Sequence, residues 1–187
     1  LGCTRHASVI IGEFLFVHGG IIKKFVNKNK IKKEEDLEVI NKNIKLWLLG
    51  LITEDNIDQI INSTKDSMFW TRVLGNIPPG ISVDSEECSQ LPLFEMFEAS
   101  PNMVIGHTPQ SFTHTHDINS TCGNKLWRVD NGSSKAFDVF PESESDGVKE
   151  SREIQALEII KENEEFEYYL LSEKDKKKWN KSQYVWE

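Results

Sequence analysis

Four apolar residues, Phe14-Leu15-Phe16-Val17, run without a break into His18-Gly19-Gly20. A short, unbroken apolar run suits a strand covered on both faces. The two glycines let the backbone turn sharply and come close to whatever the histidine touches. An imidazole at the end of such a strand can project into a cleft while the strand fixes its position. Taken alone, His18 reads more simply as a strand-end histidine bonded to backbone. A later stretch changes this. Met103-Val104-Ile105 leads into Gly106-His107-Thr108-Pro109-Gln110, which repeats the order of apolar strand and glycine-flanked histidine. Two such histidines predict two strand ends pointing into one cleft. Neutral imidazoles there are suited to zinc, iron or manganese-type centres.

The 187 residues allow one domain with a sizeable core, or one domain with a tail. A net charge of −8 argues against broad nucleic-acid binding, because a phosphate backbone would be repelled. Cys3, Cys88 and Cys122 are odd in number and far apart, with no Cys-x-x-Cys pair. Neither a structural zinc site nor a disulfide framework is expected, and a reducing, cytoplasmic compartment fits best. No apolar run approaches the roughly 20 residues of a membrane span, so no membrane partner is expected. The chain reaches its first strand almost at once from Leu1, which is read either as the natural start or as a residue within a longer protein.

Along the chain, Ala7–Gly12 reads as a strand, joined to the His18 strand by a tight turn at Gly12-Glu13. Lys23 to Lys33 is basic and reads as a solvated loop, or as a positive rim beside an anion site. Glu34 to Leu51 is the clearest helix: Leu37, Ile40, Ile44, Trp47, Leu48 and Leu51 make one apolar face, with Glu34, Glu35 and Asp36 in the first turn. A short helix capped by Thr53 follows, with Ile57, Ile60 and Ile61 on its apolar side. Arg72 comes directly after Phe69-Trp70-Thr71, either as an anion clamp or as a surface arginine stacked on Trp70. Asn76 to Gln90 reads as a mobile loop with Asp84, Glu86 and Glu87, and Leu91 to Ser100 as a short helix.

Ser111 to Thr121 reads as an exposed polar loop holding His114 and His116. Cys122 to Lys125 reads as a hairpin turn, Leu126–Asp130 as a strand, Asn131-Gly132 as a turn, and Ala136–Phe140 as another strand. Pro141 to Ser151 is an acidic loop in which Ser143 and Ser145 are either solvated or phosphorylated. Arg152–Ile160 reads as a last strand, with a helix as the rival. The tail from Lys161 to Glu187 carries Phe166, Tyr168, Tyr169, Trp179, Tyr184 and Trp186, and is expected to dock on its own domain or on a partner.

In order, Val17-His18-Gly19-Gly20, Phe69-Trp70-Thr71-Arg72, Val104-Ile105-Gly106-His107-Thr108-Pro109-Gln110 and Leu126-Trp127-Arg128-Val129-Asp130-x-Gly132 resemble the calcineurin-like metallophosphoesterases. The branch most resembled is the Shewanella-like protein phosphatases, relatives of the phosphoprotein phosphatases. The resemblance covers about residues 1–160. It implies an α/β fold: a β-sandwich with flanking helices, and a dinuclear centre of manganese, iron or zinc at strand ends. His18 resembles the ligand of the His-Gly-Gly motif and His107 that of Gly-His-Thr-Pro, both on one metal. Arg72 resembles the arginine that grips the substrate phosphate, and Asp130 with Gly132 resembles a structural turn. Asn131 and Ser133 are more polar than the family pattern there. Implied is hydrolysis of a phosphomonoester or phosphoprotein by a metal-activated water.

The family's Gly-Asp-x-His-Gly, Gly-Asp-x-x-Asp-Arg-Gly and Gly-Asn-His-Glu motifs, which supply the other ligands and the general acid, do not occur. The chain is therefore read as the C-terminal half of such a fold (1–160, then a tail 161–187), truncated, split or decayed. Two histidines alone do not hold a dinuclear centre. Unpaired sheet and exposed apolar surface are expected, and with them self-association or association with the missing half. The alternatives are a decayed, non-catalytic binding module and a mononuclear metal protein using His18, His107 and the His114/His116 loop.

Overall fold

Leu15 and Phe16 point to opposite faces of one strand, and the rest of the molecule is layered on those two faces. The computed structural model of the chain describes residues 2, 4–62, 64–92, 97, 101–113, 117–139 and 153–179. β1 (Ser8–Ile11) and β2 (Phe14–Val17) form an antiparallel hairpin, with Gly12 at φ +57° in the two-residue turn. β2 pairs in parallel with β3 (Asn102–Ile105), and β3 in parallel with β5 (Leu126–Arg128). β4 (Asn119–Thr121) pairs antiparallel on the outside of β5, giving the order β1-β2-β3-β5-β4. The register sets Leu15, Met103 and Leu126 in one row, and Phe16, Val104 and Trp127 in the next.

The period of two sends these rows to different layers. Leu15, Met103 and Leu126 join an aliphatic cluster with Phe25, Ile40, Ile44, Ile57 and Ile60. Those partners come from α1 (Lys23–Lys28), α2 (Asp36–Leu48), α3 (Asp58–Ile61) and the residue before α3. On the other face, Phe14, Val104 and Trp127 meet a second, antiparallel sheet of β6 (Gln155–Glu162), β7 (Glu165–Ser172) and β8 (Lys176–Lys178). That contact is aromatic: Phe14 meets Phe166 edge-on at 5.1 Å, and Trp127 meets Tyr168 at 4.6 Å and Trp179 at 5.1 Å between ring centroids. The result is a mixed α/β molecule with two sheets and short helices. The described part of the aromatic tail docks on its own domain, and residue 160, the expected boundary, falls inside β6.

Several expectations are corrected. Residues 23–28 are helical, because Ile21, Ile22, Phe25 and Val26 share a face at helical spacing and are buried behind the lysines. α2 is shorter than its periodic pattern, with Leu48 and Leu51 exposed. Residues 119–121 are a buried strand despite their polarity, because their side chains bond inside the protein: Ser120 donates to Asn124 Oδ1 at 2.6 Å and Thr121 to the Pro78 carbonyl at 2.6 Å. Lys135–Val139 forms a 3-10 turn where a strand was expected. Cys88 and Cys122, which nothing in their spacing pairs, form a disulfide across a separation of 34 residues. The expected helix over Leu91–Ser100 falls mostly outside the described residues, as do His114, His116, the 141–151 loop and the chain after residue 179.

Candidate metal and anion site

Parallel pairing of β2 and β3 does not stop at Val17 and Ile105. The Gly106 amide donates to the His18 carbonyl at 2.8 Å, which carries the ladder one step further. His107 then turns at φ +64°, a left-handed value uncommon for a residue with a side chain. The two imidazoles meet: His18 Nε2 lies 3.1 Å from His107 Nδ1. Gly19 supplies the room beneath them. A Cβ there would come within 2.9 Å of the Met68 carbonyl and 3.1 Å of the Thr71 carbonyl, so the segment bearing Trp70 and Arg72 approaches only because residue 19 has no side chain. The Gly19 amide seals that approach by donating to the Met68 carbonyl at 2.8 Å.

Trp70 stands edge-on to His107, with centroids 5.7 Å apart, and half of its surface is exposed. Arg72 is not stacked away from the site. Its Nη1 donates to the His107 carbonyl at 2.8 Å, while its residue remains exposed. One imidazole pair, one exposed indole and one guanidinium thus occupy the same end of the sheet. The protonated form of His107 is disfavoured, first by burial and then by the charges of Arg72 and His18, while the Trp70 carbonyl and Asp130 act weakly the other way. A neutral ring with a free nitrogen lone pair is the form that binds a cation. Asp130 accepts from the Gly132 amide at 3.1 Å, the short-range turn expected of it.

The site is open on one side. A cleft of about 510 Å³ runs from His18 and Gly106 along Phe16, Val104 and Val129. A second, of about 620 Å³, shares those three apolar residues and continues between the sheets to Leu157, Ile159 and Phe166. β1 and β6 are edge strands, and Val9 and Ile11 on β1 are exposed. Among the described residues, no group of three or more His, Cys, Asp or Glu side chains could hold a metal ion. None of the helices there is long and apolar enough to cross a membrane. Sequence reasoning singled out His18, His107 and Arg72, which the structure brings together; it missed Trp70 as a wall of the site, although its place two residues before Arg72 was visible.

The molecule is thus a mixed α/β chain with two histidines and an arginine gathered at strand ends. It is similar to an uncharacterized protein of Acanthamoeba polyphaga mimivirus, 34% identical over 154 residues, a match covering 75% of this chain and 61% of that protein. The chain therefore spans less than two thirds of that relative's length. No protein-family model matches the chain. No solved structure matches it either.

Proposed function

We propose that this chain is the C-terminal part of a metal-dependent phosphatase of the calcineurin-like metallophosphoesterase type. It would hydrolyse a phosphomonoester or phosphoprotein, and alone it would be inactive or nearly so. The observation that carries this reading is the 3.1 Å approach of His18 Nε2 and His107 Nδ1. Nitrogens bound about 2.0–2.1 Å from one cation, at tetrahedral or octahedral angles, stand roughly 2.8–3.4 Å apart. The pair therefore fits two neighbouring corners of one coordination sphere, and the disfavoured protonation of His107 keeps it available.

In this reading His18 and His107 hold one of two divalent ions (manganese, iron or zinc). Such ions, when bound, supply Lewis-acid activation of water and neutralise phosphoryl charge. Arg72 orients the phosphate with its remaining donors while its Nη1 stays on the His107 carbonyl. Trp70 stands edge-on beside His107 and walls that side of the site. The remaining ligands would come from chain outside these residues, seated along the apolar cleft and the edges of β1 and β6. That same cleft favours a second reading, a non-catalytic module that binds a partner there.

The test is titration with manganese or zinc, read at the histidine ring nitrogens by NMR, beside manganese-dependent hydrolysis of an aryl phosphate. His18→Ala and His107→Ala each abolish metal occupancy, and the chain alone hydrolyses no faster than those variants. Occupancy that survives both substitutions overturns the reading. Hydrolysis by the chain alone that vanishes in His18→Ala would mean that the site assembles from these residues without further chain.

A further inference from the structure

We infer that Arg128, Asn119 and Gln110 form a buried relay that holds segment 72–80 and so aims the Arg72 guanidinium at the imidazole pair. They are positioning residues for the anion, a consequence that rests on the phosphatase reading. The geometry stands without that reading.

Arg128 is 1% exposed, at the end of β5. Its Nε donates to Asn119 Oδ1 at 2.7 Å, its Nη2 donates to the same oxygen, and its Nη1 donates to the Ile77 carbonyl. None of these acceptors is a carboxylate. Burial lowers its pKa to about 9, so the charge persists at neutral pH. A buried charge without a counter-ion is costly, and an apolar residue of similar size would avoid the cost. What Arg128 gains is a hold on Ile77, five residues along the chain from Arg72.

Gln110, fully buried, makes the second hold. Its Nε2 donates to the Gly75 carbonyl and to the Thr108 carbonyl, both at 3.0 Å, and its Oε1 accepts from Asn119 Nδ2 at 3.0 Å. Gly75 presses so close to Thr108 that a Cβ there would lie 2.3 Å from the threonine hydroxyl. Arg72 Nη1 on the His107 carbonyl closes a ring. From Arg72 it runs through His107 and Thr108, then Gln110, Asn119, Arg128 and Ile77, and back along the chain to Arg72. The charged end of Arg72 is the part of this ring that faces solvent. The Cys88–Cys122 disulfide ties the same loop farther along and takes no part in the ring.

The relay and the disulfide can be separated. Gln110→Met and Arg128→Met cut the ring; Cys88→Ser with Cys122→Ser cuts only the far tie. The readout is the ¹⁵N relaxation of the Arg72 Nε–H, identified by its loss in Arg72→Lys. The double serine variant is expected to melt lower and keep Arg72 ordered. Both relay variants are expected to leave Arg72 rotating freely, and to weaken binding of inorganic phosphate in the presence of manganese tenfold or more. If Arg128→Met does not fold, Gln110→Met decides the matter. Arg72 as ordered in the relay variants as in the double serine variant overturns the inference. Arg72 disorder in the relay variants, with no phosphate binding by the parent protein, upholds the relay and overturns Arg72 as an anion-binding residue of this chain.

Discussion

At the ends of β2 and β3, His18 and His107 face each other across 3.1 Å beside an open cleft. One strand further along the same sheet, Arg128 is sealed from solvent by Asn119 and the Ile77 carbonyl. Both clusters are polar and both close a strand. They differ in what is left over. In the closed cluster the donors and acceptors meet one another, as buried polar groups normally do. In the open cluster, among the described residues, His18 Nε2 and His107 Nδ1 meet each other, and His107 Nε2 is buried without a hydrogen bond of ordinary geometry. Polar atoms spent on one another fix the backbone; polar atoms left unspent at a cleft are available to a ligand. The closed cluster belongs to stability, and the open one to binding.

Substitutions should separate the two. The largest effect is expected at Asn119. Asn119→Leu strands a buried guanidinium charge and should cost about 3–5 kcal/mol, read as a lowered chemical-denaturation midpoint. A loss under about 1 kcal/mol would mean that Arg128 finds another acceptor and the cluster is not closed. Next comes the disulfide beside it. Reduction, or Cys88→Ser, should cost about 2–4 kcal/mol through a looser unfolded chain, and thermal melting with and without reductant measures it. Equal melting in both conditions would show that the two cysteines are not joined.

The open cluster should behave oppositely. His18→Ala should change stability by no more than about 0.5 kcal/mol, because the residue is exposed, while zinc or manganese binding disappears. A large loss of stability with binding intact would reverse the comparison. The smallest effect is in pH. His107 has a depressed pKa in the folded chain, so the unfolded chain binds more protons. The stability it contributes is fully present above the ordinary histidine value of 6.5 and is lost as the pH falls through the depressed value. His107→Gln should flatten that part of the stability–pH curve, and an unchanged slope would mean that the ring titrates normally.

Much of the closed cluster was illegible in the sequence. Asn119-Ser120-Thr121 reads as loop because periodicity methods weigh apolar side chains, and these strand residues are buried by bonding rather than by hydrophobicity. The lysines at 23, 24 and 28 hide a helix for the converse reason: they dominate the local composition, while the burial of Ile21, Ile22, Phe25 and Val26 decides the matter. Cysteine spacing gave no sign of the Cys88–Cys122 bond, since a pair 34 residues apart is brought together only by tertiary folding. The open cluster was far more legible. A histidine beside glycine after an apolar run is a local pattern, and it occurs twice.

Local order in the chain therefore determined the strands that carry His18 and His107, the Gly12 hairpin and the α2 helix, because each depends on neighbours within a few residues. Tertiary structure decided which strands lie side by side, and with that everything of chemical interest. The parallel pairing of β2 with β3 sets two imidazoles 3.1 Å apart from positions 89 residues distant in sequence. The absence of a side chain at Gly19 lets the Arg72 segment reach them. Distances between far-apart residues follow from packing and register, and no local pattern encodes them.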